Sequence, residues 1–162
     1  MVRLEGSLYQ SQDDKEKVET FYENIFLQYP EETVFLLDRA RRNWSKAHPN
    51  KALQDLETLF RLDPENFEAH YLAGLIRIGI GEDEKALENL IKAGSLQDGH
   101  AEIWSHIANL SNRLGEPEKA LAAIRKALEL APESYPYLQQ YVNYLEARLD
   151  THQSETLSLI HI

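Results

Sequence analysis

The chain contains no cysteine, and its 162 residues include only 7 glycines and 6 prolines. Without cysteine there are no disulfides, thiolate metal sites or thiol nucleophiles, which fits a reducing cytoplasm. Little glycine and proline, with 43% hydrophobic and 27% charged residues, argues against a low-complexity or disordered chain. No run approaches the roughly 20 apolar residues of a membrane span. The opening MVRLEGSLYQSQDD lacks the apolar core of a secretory signal. Basic residues are also short, 17 Lys and Arg against 27 Asp and Glu, a formal charge of −10. Such a balance argues against a general affinity for nucleic acid or anionic membrane. By length the chain is one domain or a short array of repeats.

What is present is a period. EPEKAL (116–121) returns as EDEKAL at 82–87 and HPNKAL at 48–53, with a weaker DKEKVE at 14–19, always 34 residues apart. Lys17, Lys51, Lys85 and Lys119 form one column, followed by Val18, Ala52, Ala86 and Ala120. Further columns read Tyr22, Leu56, Leu90, Ile124 and then Ile25, Leu59, Ala93, Ala127. Offsets of i, i+4 and i+7 trace one apolar stripe on a helix. Pro30, Pro64 and Pro132 end that helix, with Asp98 as the exception. The preceding segments are also helical: Trp104, Ile107, Ala108 and Ser111 in 101–115, and His70, Ala73, Gly74 and Arg77 in 67–81, closed by Gly115 and Gly81. Each unit is helix, tight turn, helix, a pair that buries its stripe only by stacking on neighbours.

The units resemble tetratricopeptide repeats, whose pattern is W-x2-L-G-x2-Y, then A-x3-F, then P. The resemblance implies an all-α, right-handed α-solenoid of about four repeats plus one further helix, nine helices in antiparallel pairs. The repeats are assigned to 1–32, 33–66, 67–100 and 101–134, with the extra helix at 135–149. In 1–32, Gly6 and Tyr9 stand in the Gly and Tyr slots. In 33–66, Arg39 and Asn43 fall in normally apolar slots, and a one-residue shift placing Leu37, Ala40 and Trp44 inward reads better. Leu138, Tyr141, Val142 and Leu145 are expected to face inward on the last helix. Residues 150–162 form a tail, and LSLIHI (157–162) matches the translation of a transposon-end sequencing adapter, so these six are expected to be non-native. Both ends lack a polar capping face, so exposed apolar area and weak self-association are expected.

No constellation carries chemistry. GIGEDE (79–84) follows a helix and lacks the strand and third glycine of a dinucleotide loop. Six scattered histidines offer at best Glu102 with His106 one turn apart, short of a metal site. Asn43-Trp44-Ser45 and Asn109-Leu110-Ser111 match the glycosylation acceptor by chance, inside helices. Asp13-Asp14, Glu31-Glu32 and Glu82-Asp83-Glu84 lie near helix starts, where carboxylates suit the macrodipole. No cofactor and no catalysis are expected of the chain.

In the family this chain resembles, first helices line a concave groove that holds a peptide or partner protein. Transferred by column, the groove positions include Arg41 and Trp44, then Tyr71, Leu75 and Ile78, then Ser105, Asn109, Asn112 and Arg113, and finally Asn143. Asn109 and Asn143 share one column, where an amide can hold peptide backbone. Tyr71, Leu75 and Ile78 form an apolar strip, and Arg41 and Arg113 offer forks for acidic residues of the ligand. The Lys/Asn/Arg clamp of chaperone-binding members is absent; Leu37, Arg41, Leu72, Glu102 and His106 stand at its positions. First helices carry eight basic against five acidic residues, leaving the acidity to second helices and turns, the convex side in this family. Two readings follow: a bacterial, cytoplasmic adaptor that binds protein or peptide, or the repeat segment of a larger glycosyltransferase- or sulfotransferase-like enzyme.

Overall fold

The computed structural model describes residues 12–160, and their side chains over 16–149. Every regular element among them is a helix: α1 (Gln12–Gln28), α2 (Thr33–Ser45), α3 (Pro49–Leu62), α4 (Phe67–Ile80), α5 (Asp83–Leu96), α6 (Ala101–Arg113), α7 (Pro117–Leu130) and α8 (Tyr135–Ile160). These are eight of the nine expected helices; the first, with Gly6 and Tyr9, lies outside the described residues. α8 stays helical beyond residue 149. The chain divides into two units, 1–64 and 65–162. In the first, α1 touches α2 and α2 packs on α3. In the second, α4, α5, α6, α7 and α8 pack in succession.

Local chemistry sets the breaks. Pro49 and Pro117 open α3 and α7, where a missing N–H goes unnoticed. Asn66 caps α4, its side chain accepting from the Ala69 amide at 3.0 Å. α4 ends on Gly81 in the left-handed region (φ 78°), with the Glu82 amide returning to the Arg77 carbonyl at 2.9 Å. Gly115 (φ 74°) repeats this between α6 and α7, the Glu116 amide reaching the Ser111 carbonyl at 2.8 Å. The same slot in the first unit holds Ala47, forced to φ 58°. Where Pro is missing after α5, the Asp98 carbonyl accepts the Trp104 indole N–H at 3.1 Å.

The apolar columns form the core: Ala52, Ala86, Ala120, Leu56, Leu90, Ile124, Leu59, Ala93 and Ala127 are all fully buried. In α2 the structure keeps the unshifted register. Leu36, Leu37 and Ala40 are buried, Trp44 is half-buried, and Arg39 and Asn43 remain in their slots. Both meet Asp55 of α3, only 7% exposed. Arg39 donates to its Oδ1 from Nε (3.0 Å) and Nη2 (2.6 Å), and Asn43 donates to its Oδ2 at 2.9 Å. A one-residue shift is thus unnecessary once the polar slots have a partner. α8 departs from expectation. Tyr144 is buried and Tyr137, Tyr141 and Leu145 pack on the core, whereas Leu138 and Val142 are exposed. Tyr137, Tyr141 and Tyr144 turn inward, their large rings burying more apolar area, while Tyr135 is exposed.

Two substitutions test these features. Ala47→Gly relieves left-handed strain of about 1–2 kcal/mol against roughly 0.4–1 kcal/mol of added unfolded-chain freedom. The expected result is a small rise in the urea midpoint; an unchanged or lower midpoint contradicts the strain. Asp55→Ala strips Arg39 and Asn43 of their acceptor and should lower stability by about 1–3 kcal/mol, with Asp55→Asn between it and the parent.

Candidate peptide-binding surface

In the second unit, α6 and α8 are joined by a chain of hydrogen bonds. The Ser105 hydroxyl donates to Gln140 Oε1 at 2.8 Å, and Gln140 Nε2 donates to the Ser105 carbonyl at 3.3 Å. Gln140 Nε2 also donates to the Tyr144 hydroxyl at 2.9 Å, and that hydroxyl donates to Asn109 Oδ1 at 2.6 Å. Tyr144 is 7% exposed, so its hydroxyl must be paired where it enters the core. Burial pushes its pKa up, which keeps it a neutral donor. Tyr144 therefore fixes which way the Asn109 amide points. With its oxygen occupied, Asn109 offers NH2 outward, and that group makes no hydrogen bond among the described residues. Asn143 is similar: its Oδ1 accepts from Gln139 Nε2 at 3.1 Å.

Tyr71 of α4 stacks on Phe67 (centroids 6.2 Å apart, planes at 13°), and Phe67 stacks on the His100 ring at 4.9 Å. Burial, and then the Glu102 carboxylate, push the Tyr71 pKa up to about 12. Burial and the same carboxylate raise that of Tyr137 on α8. Glu102 of α6 thus acts electrostatically on Tyr71 of α4 and Tyr137 of α8. Leu75 and Ile78 are half-buried, Ile78 against the core, so only part of the expected apolar strip faces out. Asn112 is exposed. Arg113 is not an idle fork: its Nη2 lies 2.7 Å from Asp83 Oδ1.

Arg41 and Trp44 belong to the first unit. Arg41 is exposed, with Asp38 at 3.8 Å, and Trp44 is half-buried. Nearby, Arg42 of α2 and Lys46 just past its end hold Glu19 of α1, and the Lys46 hydrogen bond leads in keeping that carboxyl below its ordinary range. Among the described residues no group of three or more His, Asp or Glu could hold a metal, and no helix is long and apolar enough to cross a membrane.

Family models described as tetratricopeptide repeat match residues 37–93 and 101–134. The chain belongs to the tetratricopeptide repeat family, as the repeat columns and the helix pairs require. No curated protein matches it significantly in sequence. Solved structures show the same all-helical repeat fold. A crystal structure of MamA aligns with a TM-score of 0.71 at 21% identity, covering 92% of this chain and 99% of that one. YrrB, described as a TPR protein with an unusual peptide-binding site, gives 0.70 at 20% identity over 82% of this chain and 70% of its own. The first TPR of Spaghetti, bound to the HSP90 peptide SRMEEVD, gives 0.67 at 14% identity over 72% and 93%.

Sequence reading reached Asn109 and Asn143 through their column but missed Tyr144 and Gln140. Their only signal was a polar–aromatic pair at i,i+4 on the last helix. The Glu102 assignment is open to titration. Glu102→Gln should bring the Tyr71 transition from about 12 part of the way towards 10.0, because burial, the larger cause, remains. Tyrosinate absorbance read against a Tyr71→Phe control identifies the transition; no movement would separate Glu102 from Tyr71.

Proposed function

We propose that this chain is a binding module that performs no chemistry of its own and holds an extended polypeptide segment along α4, α6 and α8 of the second unit. The observation that carries this reading is the Ser105–Gln140–Tyr144–Asn109 network, which aims an unoccupied amide NH2 at whatever lies against α6. A side chain held so firmly with donors to spare suits a peptide carbonyl, which leaves water only where it regains a hydrogen bond. Peptide recognition in the descriptions of YrrB and Spaghetti supports the reading. A terminal-carboxylate mode is not carried over, because Glu102 and His106 occupy two of the clamp positions. An acidic ligand would further have to draw Arg113 away from Asp83 at 2.7 Å. Exposed Tyr135, Leu138, Val142 and Leu149 on α8 support the accompanying expectation of weak self-association.

The test begins with peptides selected on the full chain from a random twelve-residue display library. Asn109→Ala and Tyr71→Ala should each weaken the selected peptides by about 1–3 kcal/mol, while Lys92→Ala on α5 should change little. Circular dichroism confirms that each variant is folded. If Lys92→Ala weakens binding as much as the other two, or if no peptide is enriched, the reading is wrong.

A further inference from the structure

We propose that the outer face of α8 is the self-association surface of this chain and that its occupant is α8 of a second copy. This rests on the expectation of self-association and adds the helix, the residues and the stoichiometry. α8 carries two apolar faces. Tyr137, Tyr141 and Tyr144 pack on the core. At about 100° of rotation per residue, Leu138, Val142 and Leu149 fall on a second row with Tyr135 at its start. These four are 43%, 44%, 62% and 74% exposed. Leu145 lies between the two faces, half-buried against the core. The positions 135, 138, 142, 145 and 149 alternate steps of three and four residues, the seam of a helix that pairs with another through leucine-sized side chains.

The other first helices show what kind of element belongs there. Ala40, Gly74 and Ala108 stand in the column of Val142, and all three are buried. At Gly74 the second helix of the pair comes so close that an added Cβ would lie 2.7 Å from Leu90. Val142 fills that space with a branched side chain. A helix lying on α8 is therefore held further out and needs long apolar side chains of its own to reach it. Among the described residues of the second unit, only α8 exposes such a row; Ile80, Ile91 and Leu130 lie one to a helix. Two copies related by a two-fold axis offer each other the surface each one needs, and that symmetry closes the assembly at a dimer. The row itself is uncharged, while each chain carries a net −10, so added salt screens the repulsion between copies and favours pairing. Asn143 lies about 100° round the helix from Val142, which leaves the candidate peptide surface open in the pair.

Sedimentation velocity on the full chain, over a wide range of concentration and at low and high salt, reads the assembly. The expected result is a rise with concentration that levels off at the dimer and strengthens with salt. Leu138→Glu and Val142→Glu should each weaken the dimer roughly tenfold or more, and Leu149→Lys should act in the same direction. Ile91→Glu, at a residue of similar exposure on α5, should leave it unchanged. Circular dichroism confirms that each variant is folded. Association that survives Leu138→Glu combined with Val142→Glu, that weakens equally with Ile91→Glu, or that grows past the dimer without levelling off overturns this inference and leaves self-association standing. A monomer at every concentration and salt overturns both. The peptide-binding reading is untouched by either outcome, since Asn109→Ala tests it separately.

Discussion

Each helix pair closes where both members carry small side chains. Ala40, Gly74 and Ala108 form one buried column on the first helices, and Ala52, Ala86 and Ala120 another on the second. A Cβ built on Gly74 would lie 2.7 Å from Leu90 Cδ2 and Cγ and 3.5 Å from the Ala86 carbonyl oxygen. Backbones that approach this closely leave the flanking leucine and isoleucine columns no freedom to slide, because interiors pack to near-crystalline density. Every interaction between the helices of a pair inherits its spacing from that contact. The turns then need only two or three residues, and left-handed glycine closes them at Gly81 and Gly115.

The same geometry places two first-helix slots opposite one second-helix slot, and the three vary in polarity together. In the first unit they hold Arg39, Asn43 and Asp55, which satisfy one another. In α4 and α5 the corresponding residues are Ala73, Arg77 and Asn89, with Arg77 donating to Asn89 at 2.7 Å. In α6 and α7 they are Ile107, Ser111 and Ala123, all buried. Pairing dominates, because a buried polar group costs more unpaired than its bond gains when paired, although Arg77 Nε stays buried without a hydrogen-bond partner. One backbone frame thus accepts an ionic, a polar or an apolar filling.

That substitution by sets explains what was legible in the sequence. The alanine, leucine and isoleucine columns were plain, because burial repeats with the same 34-residue period as the sequence. The register of α2 was not, since Arg39 looks misplaced until Asp55, 16 residues on, is brought beside it. On α8, Tyr141 and Leu145 were read correctly as inward but Leu138 and Val142 were not, because no further period follows to fix the face. At the candidate surface, Asn109 was visible as a column member, yet its orientation depends on Tyr144. A tyrosine in the column of Leu110 reads as core, and only the fold reveals where its hydroxyl goes. Arg113 read as a free fork because its partner Asp83 is 30 residues away.

The polar network on α6 and α8 is arranged for more than stability. A pair of leucines would join two helices as well as Ser105, Gln140, Tyr144 and Asn109 do, without the risk of an unsatisfied group. What the polar set achieves is direction. Each oxygen is occupied from within, Gln140 Oε1 by Ser105, Asn109 Oδ1 by Tyr144 and Asn143 Oδ1 by Gln139, so the asparagines present donors only. Backbone carbonyls are common to every residue of a ligand, so donors aimed at them hold a peptide without reading its sequence. Discrimination falls to the side-chain environment beside them. There Tyr71 and Tyr137 are pushed up in pKa by burial first and by the Glu102 carboxylate second. On the reading proposed above, the outward amides of Asn109 and Asn143 supply the sequence-tolerant grip.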